Sequence, residues 1–96
     1  MIKIEKEKIL KNLCFTKLVY NRINRKLKLN LNQKNIEEFV CKIISESRLS
    51  NFKKIGKNMY ISNKENDVRV TVNLNSNRVI TMDVLSKLNN RKIKRT

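Results

Sequence analysis

The C-terminal half of the chain has polar side chains of the types that ribonuclease chemistry uses. They lie on segments in which polar and apolar residues alternate. RNA cleavage needs a base for the ribose 2′-hydroxyl, an acid for the leaving oxygen and a cation for the phosphate. Asp83 is the candidate base, Tyr60 or Lys57 the candidate acid, and Arg69 the candidate cation. The chain has 0 His, the side chain whose ordinary pKa best suits this proton transfer. The lack of His favours the alternative that these residues are simply the water-facing side of a sheet.

A second group of candidates is basic and has the chemistry to contact phosphate. Four cations fall within the seven residues 22–28, near the end of a predicted helix, and five more within the last ten residues. We expect the two groups to form two arms of one phosphate-contacting surface. The candidate nucleic-acid-binding residues are Arg22, Arg25, Lys26, Lys28, Lys87, Arg91, Lys92, Lys94 and Arg95. Cations near a helix C-terminus also suit the helix dipole, so capping is an alternative role for the first four. With 2 Tyr and 0 Trp, base stacking is expected to contribute less than phosphate contact.

The charge of the chain is high and uneven. Its 96 residues include 23 Lys+Arg and 8 Asp+Glu, for a formal net charge of +15. The excess lies in residues 1–35 and 87–96, whereas residues 36–50 are almost neutral. Such a field attracts polyanions in a salt-dependent way, nucleic acid first and an acidic protein surface second. An AT-rich coding sequence would also raise the Lys count, but Glu would then be expected to rise with it.

Several classes of protein are excluded or disfavoured. No apolar run approaches the roughly 20 residues of a membrane span, and the charged first residues lack the apolar centre of a secretion signal. We therefore expect a cytoplasmic protein with no membrane partner. Cys14 and Cys41 lie far apart and have no His beside them, so we expect two small buried side chains and no metal site or cofactor.

The spacing of apolar residues changes at Ser50. Before it the spacing is typical of helices, and after it apolar and polar residues alternate as in strands. Ile36, Phe39, Val40, Ile43 and Ile44 share one helical face. The predicted elements are helices over about 4–13 and 17–27, a third helix capped by Asn32 or Asn35, strands over 58–63, 68–74 and 78–85, and a short edge strand over 52–55. The predicted fold class is α+β: two or three N-terminal helices packed on one face of a three- to four-stranded antiparallel sheet. We expect residues 1–86 to form one domain and residues 87–96 to form a basic C-terminal tail.

Two stretches carry a family resemblance. Gly56-Lys57-Asn58-Met59-Tyr60, and Thr71-Val72-Asn73 followed by Ile80-Thr81, resemble a family of small, stand-alone bacterial proteins of unknown function. The family pattern often has Trp at the position of Met59 and sometimes His near Asp83, and this chain has neither. The resemblance implies no activity. A weaker, architectural likeness is to the barnase, colicin and RelE-like group of small ribonucleases, whose catalytic side chains project from the open face of the sheet.

Three functional hypotheses follow. The first, which the sequence favours, is a non-enzymatic protein that binds RNA or an RNA–protein complex through phosphate contacts. Its most concrete version is a mobile-element-encoded inhibitor of an RNA-guided defence nuclease, similar in role to an anti-CRISPR protein. The second is a ribonuclease toxin of the toxin–antitoxin type that acts from the open sheet face. The third is a binder of an acidic protein partner.

Overall fold

The computed structural model describes residues 2–88 and confirms the α+β class, with N-terminal helices preceding an antiparallel sheet of four strands. The elements are α1 (Ile2–Asn12), α2 (Lys17–Leu27), α3 (Gln33–Glu46), a 3₁₀ turn (Leu49–Asn51), β1 (Phe52–Ile55), β2 (Asn58–Asn63), β3 (Val68–Asn73) and β4 (Arg78–Val84). Residues 85–88 are helical. The predicted tail residues 89–96 lie outside the described residues.

The sheet is a meander in which each strand pairs with the next, in the order β1-β2-β3-β4. Gly56 lies in the tight turn between β1 and β2 with a φ of 59°, a left-handed conformation that glycine adopts at little cost. Asp67 and Asn77 take similar values in the next two turns, which fits the tolerance of Asp and Asn for this region. A bulge opposite Thr71 and Val72 shifts the register between β3 and β4.

The core lies between the sheet and the helices. The alternating side chains of β2 and β3 place Met59, Ile61 and Val70 on the covered face, each fully buried. Helix α3 begins after Asn32, whose side chain accepts a hydrogen bond from the Asn35 amide at 2.8 Å. Its buried residues are Ile36, Val40, Ile43 and Ile44, four of the five that the sequence predicted. Phe39, the fifth, is only partly buried and packs against the side of the core.

The structure corrects the sequence interpretation in several details. Strands β3 and β4 each end one residue earlier than predicted, at Asn73 and Val84. The prediction of two buried cysteines was wrong for Cys14, which is exposed: its backbone pairs with Arg78 at the outer edge of β4, and its side chain lies outside the core. Cys41 is partly buried, and burial raises the pKa of its thiol.

Candidate nucleic-acid interface

Helix α2 and the segment before it lie along the outer edge of β4. The Cys14 amide donates to the Asn77 carbonyl at 2.8 Å, and the Val79 amide donates to the Cys14 carbonyl at 2.9 Å. Further along, Nη1 of Arg22 donates to the Ile80 carbonyl at 3.2 Å. Arg22, a candidate phosphate ligand, therefore helps to attach α2 to the sheet.

Three of the four ribonuclease candidates meet on the open face of the sheet. Asp83 pairs with Arg69 across β3 and β4, with 3.8 Å between carboxylate and guanidinium. The Arg69 guanidinium also lies 5.2 Å from the centre of the Tyr60 ring. Lys26 of α2 reaches the same carboxylate at 2.8 Å, and the Asp83 side chain is only 18% exposed. Asp83 thus has a cation at each oxygen, an arrangement typical of a structural ion pair.

Lys57, the fourth ribonuclease candidate, lies at the opposite end of the sheet. Its carbonyl accepts a hydrogen bond from the Leu74 amide at 2.7 Å. Leu74 is five residues along the chain from Arg69, the partner of Asp83. At roughly 3.3 Å per residue this places Lys57 about 16 Å from Asp83. The structure therefore does not bring Lys57 to the other three candidates.

The end of α2 and the start of the helical segment 85–88 form a cleft of about 290 Å³. Its lining residues are Arg25, Lys26, Asp83, Val84, Lys87 and Leu88. We call it the α2–β4 cleft. It holds three cations and one carboxylate, and it joins the two basic segments that the sequence singled out.

Asp67 determines where Lys87 lies. Its carbonyl accepts from the Leu85 amide at 3.0 Å, and its carboxylate accepts from the Ser86 amide at 2.9 Å and the Ser86 hydroxyl at 2.7 Å. These bonds satisfy amides at the first turn of the helical segment, as a capping residue does. The turn between β2 and β3 thereby holds Lys87 beside α2.

The other candidates from the basic group lie elsewhere. Lys28 is the C-terminal cap of α2, with a φ of 55°, and its amide donates to the Arg25 carbonyl at 3.4 Å. It is exposed but does not line the α2–β4 cleft. Arg91, Lys92, Lys94 and Arg95 lie outside the described residues.

Three further lysines, Lys6, Lys8 and Lys54, have positions that the sequence did not predict. Nζ of Lys6 donates to the carbonyls of Ser45 and Ser47 at 2.9 and 3.1 Å, which caps the end of α3. Lys8 and Lys54 line a cleft together with Lys57. A local pattern cannot indicate the first role, since Lys6 and Ser45 are 39 residues apart. The closely spaced Lys53, Lys54 and Lys57 were the available signal for the second.

The described residues include neither a metal-binding cluster nor a membrane-spanning helix. Between residues 2 and 88, no group of three His, Cys, Asp or Glu side chains converges to hold a metal ion. Over the same residues, no helix combines the length and the apolar character needed to cross a membrane.

Comparison with known protein families assigns the chain to one family. The chain belongs to the family described as "Protein of unknown function (DUF3781)", whose model matches residues 7–83. That range includes α2, α3 and all four strands as far as Asp83, and it confirms the predicted membership of a family without an assigned activity. No curated protein and no solved structure matches the chain.

Proposed function

We propose that the protein binds RNA, free or within an RNA–protein complex, through phosphate contacts at the α2–β4 cleft and without catalysis. The observation that carries the proposal is the convergence of Arg25, Lys26 and Lys87 on one cleft with a single carboxylate, Asp83. Arg25 and Lys87 are exposed and take part in none of the ion pairs found among the described residues. Both are therefore free to contact an anion.

Phosphate is the group on RNA that suits this cleft best. Its lining contains no aromatic ring on which a base would stack. Arg binds phosphate through two parallel hydrogen bonds, and Lys binds it as a compact charge. The formal charge of +15 adds long-range attraction, which is strong at low salt and weakens as salt is added.

The narrowest form of the proposal concerns an RNA-guided defence nuclease. A small basic protein that occupies the phosphates of a guide RNA, or the RNA channel of the nuclease, would block target binding. The small size and high positive charge of the chain support this form. The test is to add the protein to such a nuclease and to measure guided DNA cleavage. We expect cleavage to fall in proportion to the added protein and to return at high salt.

A second candidate function is RNA cleavage, because Tyr60, Arg69 and Asp83 do lie together on the open sheet face. Asp83→Asn separates the two functions. Loss of the carboxylate frees Lys26 and makes the α2–β4 cleft more positive, so phosphate binding should tighten severalfold. In a ribonuclease the same change removes the base, and cleavage of a labelled RNA should stop.

The principal test measures RNA affinity against salt concentration for matched variants. Arg25→Gln/Lys87→Gln removes two cations from the α2–β4 cleft. The control, Arg48→Gln/Lys64→Gln, removes two from a larger cleft of about 430 Å³, whose lining also includes two carboxylates, those of Glu46 and Glu65. For single-stranded RNA each phosphate contact adds about 0.7 to the slope of log affinity against log salt. We expect the first variant to lower the slope by about 1.4 and the control to lower it much less.

Two outcomes would contradict the proposal. One is undetectable RNA binding by the wild-type protein at low salt. The other is an equal loss of affinity in both variants, which would show that only total charge matters. If RNA does not bind, but an acidic protein is captured after nuclease treatment and released by Arg25→Gln/Lys87→Gln, the acidic-partner hypothesis replaces this one.

A further inference from the structure

A second basic cleft, of about 280 Å³, lies between α1 and two of the β-turns. Its lining residues are Glu5, Lys8, Ile9, Lys54, Gly56, Lys57, Leu74 and Asn75. We call it the α1–hairpin cleft. Like the α2–β4 cleft, it holds three cations and one carboxylate.

The walls of this cleft come from three parts of the chain that are held together by specific contacts. The hydrogen bond from the Leu74 amide to the Lys57 carbonyl joins the β1–β2 turn to the β3–β4 turn. Ile9 is fully buried and anchors α1 in the core beside them. A Cβ built on Gly56 would meet no atom within 4 Å, so the space over the turn is open. A ligand therefore has access to a cleft whose walls are fixed.

The charges in the α1–hairpin cleft are not balanced by protein groups. Glu5 lies 3.7 Å from Lys54 and offsets that charge. Lys8 and Lys57 are exposed and have no carboxylate within ion-pair distance among residues 2–88. Like charges that share a cleft repel each other, and a bound anion removes that repulsion. The cleft lined by Arg48 and Lys64 has as many carboxylates as cations in its lining and so has no such excess.

The two basic clefts lie at opposite ends of the strands. Val68, at the start of β3, pairs with Val84 of the α2–β4 cleft, whereas Leu74, just after β3, lines the α1–hairpin cleft. Six residues of extended chain at roughly 3.3 Å each separate these levels by about 20 Å. A stacked nucleic-acid strand rises about 3.4 Å per nucleotide, so at least about six nucleotides are needed to reach from one cleft to the other.

We propose that the α1–hairpin cleft is a second phosphate-binding site, in which Lys8 and Lys57 hold the same RNA strand that occupies the α2–β4 cleft. This inference rests on the proposed function, because it assigns a second contact to the same ligand. Two linked contacts make the second binding step intramolecular, so affinity should increase sharply once the RNA is long enough to reach both clefts. RNA shorter than about six nucleotides reaches one cleft at a time.

The test compares Lys8→Gln/Lys57→Gln with the wild type on single-stranded RNAs of about three and about twelve nucleotides. The variant should bind the longer RNA about tenfold more weakly, with a salt slope lower by about 1.4. Its affinity for the shorter RNA should change by less than about twofold, since the α2–β4 cleft remains. The control is Arg48→Gln/Lys64→Gln, which carries the same net charge and should keep most of the length dependence.

The outcomes separate this inference from the proposed function. If Arg25→Gln/Lys87→Gln weakens binding of the longer RNA but Lys8→Gln/Lys57→Gln does not, the second site is disproved and the proposed function stands. The same holds if the Lys8 and Lys57 variant and the control lose equal affinity. If the wild type binds neither RNA at low salt, the proposed function fails, and the second site fails with it.

Discussion

Helix α3 buries four apolar side chains against the sheet, whereas α2 buries only Val19 and Ile23. Polar contacts from Arg22 to the Ile80 carbonyl and from Lys26 to Asp83 supply part of the attachment of α2. The comparison shows that the four cations of α2 and its cap are not one functional unit. Arg22 and Lys26 face β4 and attach the helix. Arg25 and Lys28 are exposed and take part in none of the ion pairs among residues 2–88.

The largest effect should come from the apolar attachment of α3. Ile43→Ala deletes a fully buried side chain and leaves a cavity, so it should lower the free energy of unfolding by about 2–5 kcal/mol. Ile4→Ala, at a position that is 67% exposed, is the control and should change it by less than about 0.5 kcal/mol. Urea unfolding measures both. A cost below about 1 kcal/mol for Ile43→Ala would show that α3 is not the main hydrophobic anchor.

A smaller effect should come from the contact between α2 and α3. The Tyr20 hydroxyl donates to Oε2 of Glu37 at 2.5 Å. This hydrogen bond, with desolvation and the negative charge of Glu37, raises the pKa of Tyr20 from 10.0 to about 12. Tyr20→Phe should lower the free energy of unfolding at pH 7 by about 1–2 kcal/mol.

The pH dependence of this contact has a definite sign. Between about pH 10 and 12 the unfolded chain loses the Tyr20 proton while the folded protein keeps it. The stabilisation is therefore complete below pH 10 and is lost as the pH rises toward 12. In a titration of phenolate absorbance, Tyr20→Phe should remove a component near pH 12, and Glu37→Gln should move that component to lower pH. A component that is unchanged in Glu37→Gln would contradict the assignment.

The ion pair that attaches α2 to β4 should contribute less. Asp83→Asn should lower the free energy of unfolding by about 1 kcal/mol, because Lys26 is 41% exposed and water screens the pair. The difference should shrink in high salt. Glu65→Gln, at an exposed acid in a turn, is the control and should have little effect. A loss above about 3 kcal/mol would show that α2 depends on this ion pair more than on Val19 and Ile23.

The smallest effect on stability should come from the water-facing cations of α2. Arg25→Gln should change the free energy of unfolding by less than about 0.5 kcal/mol, since Arg25 is exposed and donates no side-chain hydrogen bond within the described residues. The same variant should weaken RNA binding measurably. If Arg25→Gln lowered stability and left RNA affinity unchanged, Arg25 would be a cation that attaches the helix and not one that binds RNA.

Much of the fold was predictable because its signals are local. The observed bounds of β1 and β2 are the predicted ones, and the apolar stripe of α3 follows a period of 3.6 residues. The site was only partly predictable. The joining of Arg25 and Lys87 across the chain was proposed from charge alone, and the separation of Lys57 from Asp83 was not anticipated. Strand register and the position of Asp67 decide both, and neither leaves a periodic signal in the sequence.

The sequence by itself determined the α+β class, the uneven positive charge and the membership of a family without a known activity. These follow from composition, periodicity and local motifs, which require no knowledge of long-range contacts. Only the tertiary structure decided which cations attach the helices and which share a cleft. Lys6, Arg22 and Lys26 find partners at least 39 residues away. Side chains that are equivalent in charge thereby acquire different roles, because packing and strand register determine which of them meet a carbonyl, a carboxylate or water.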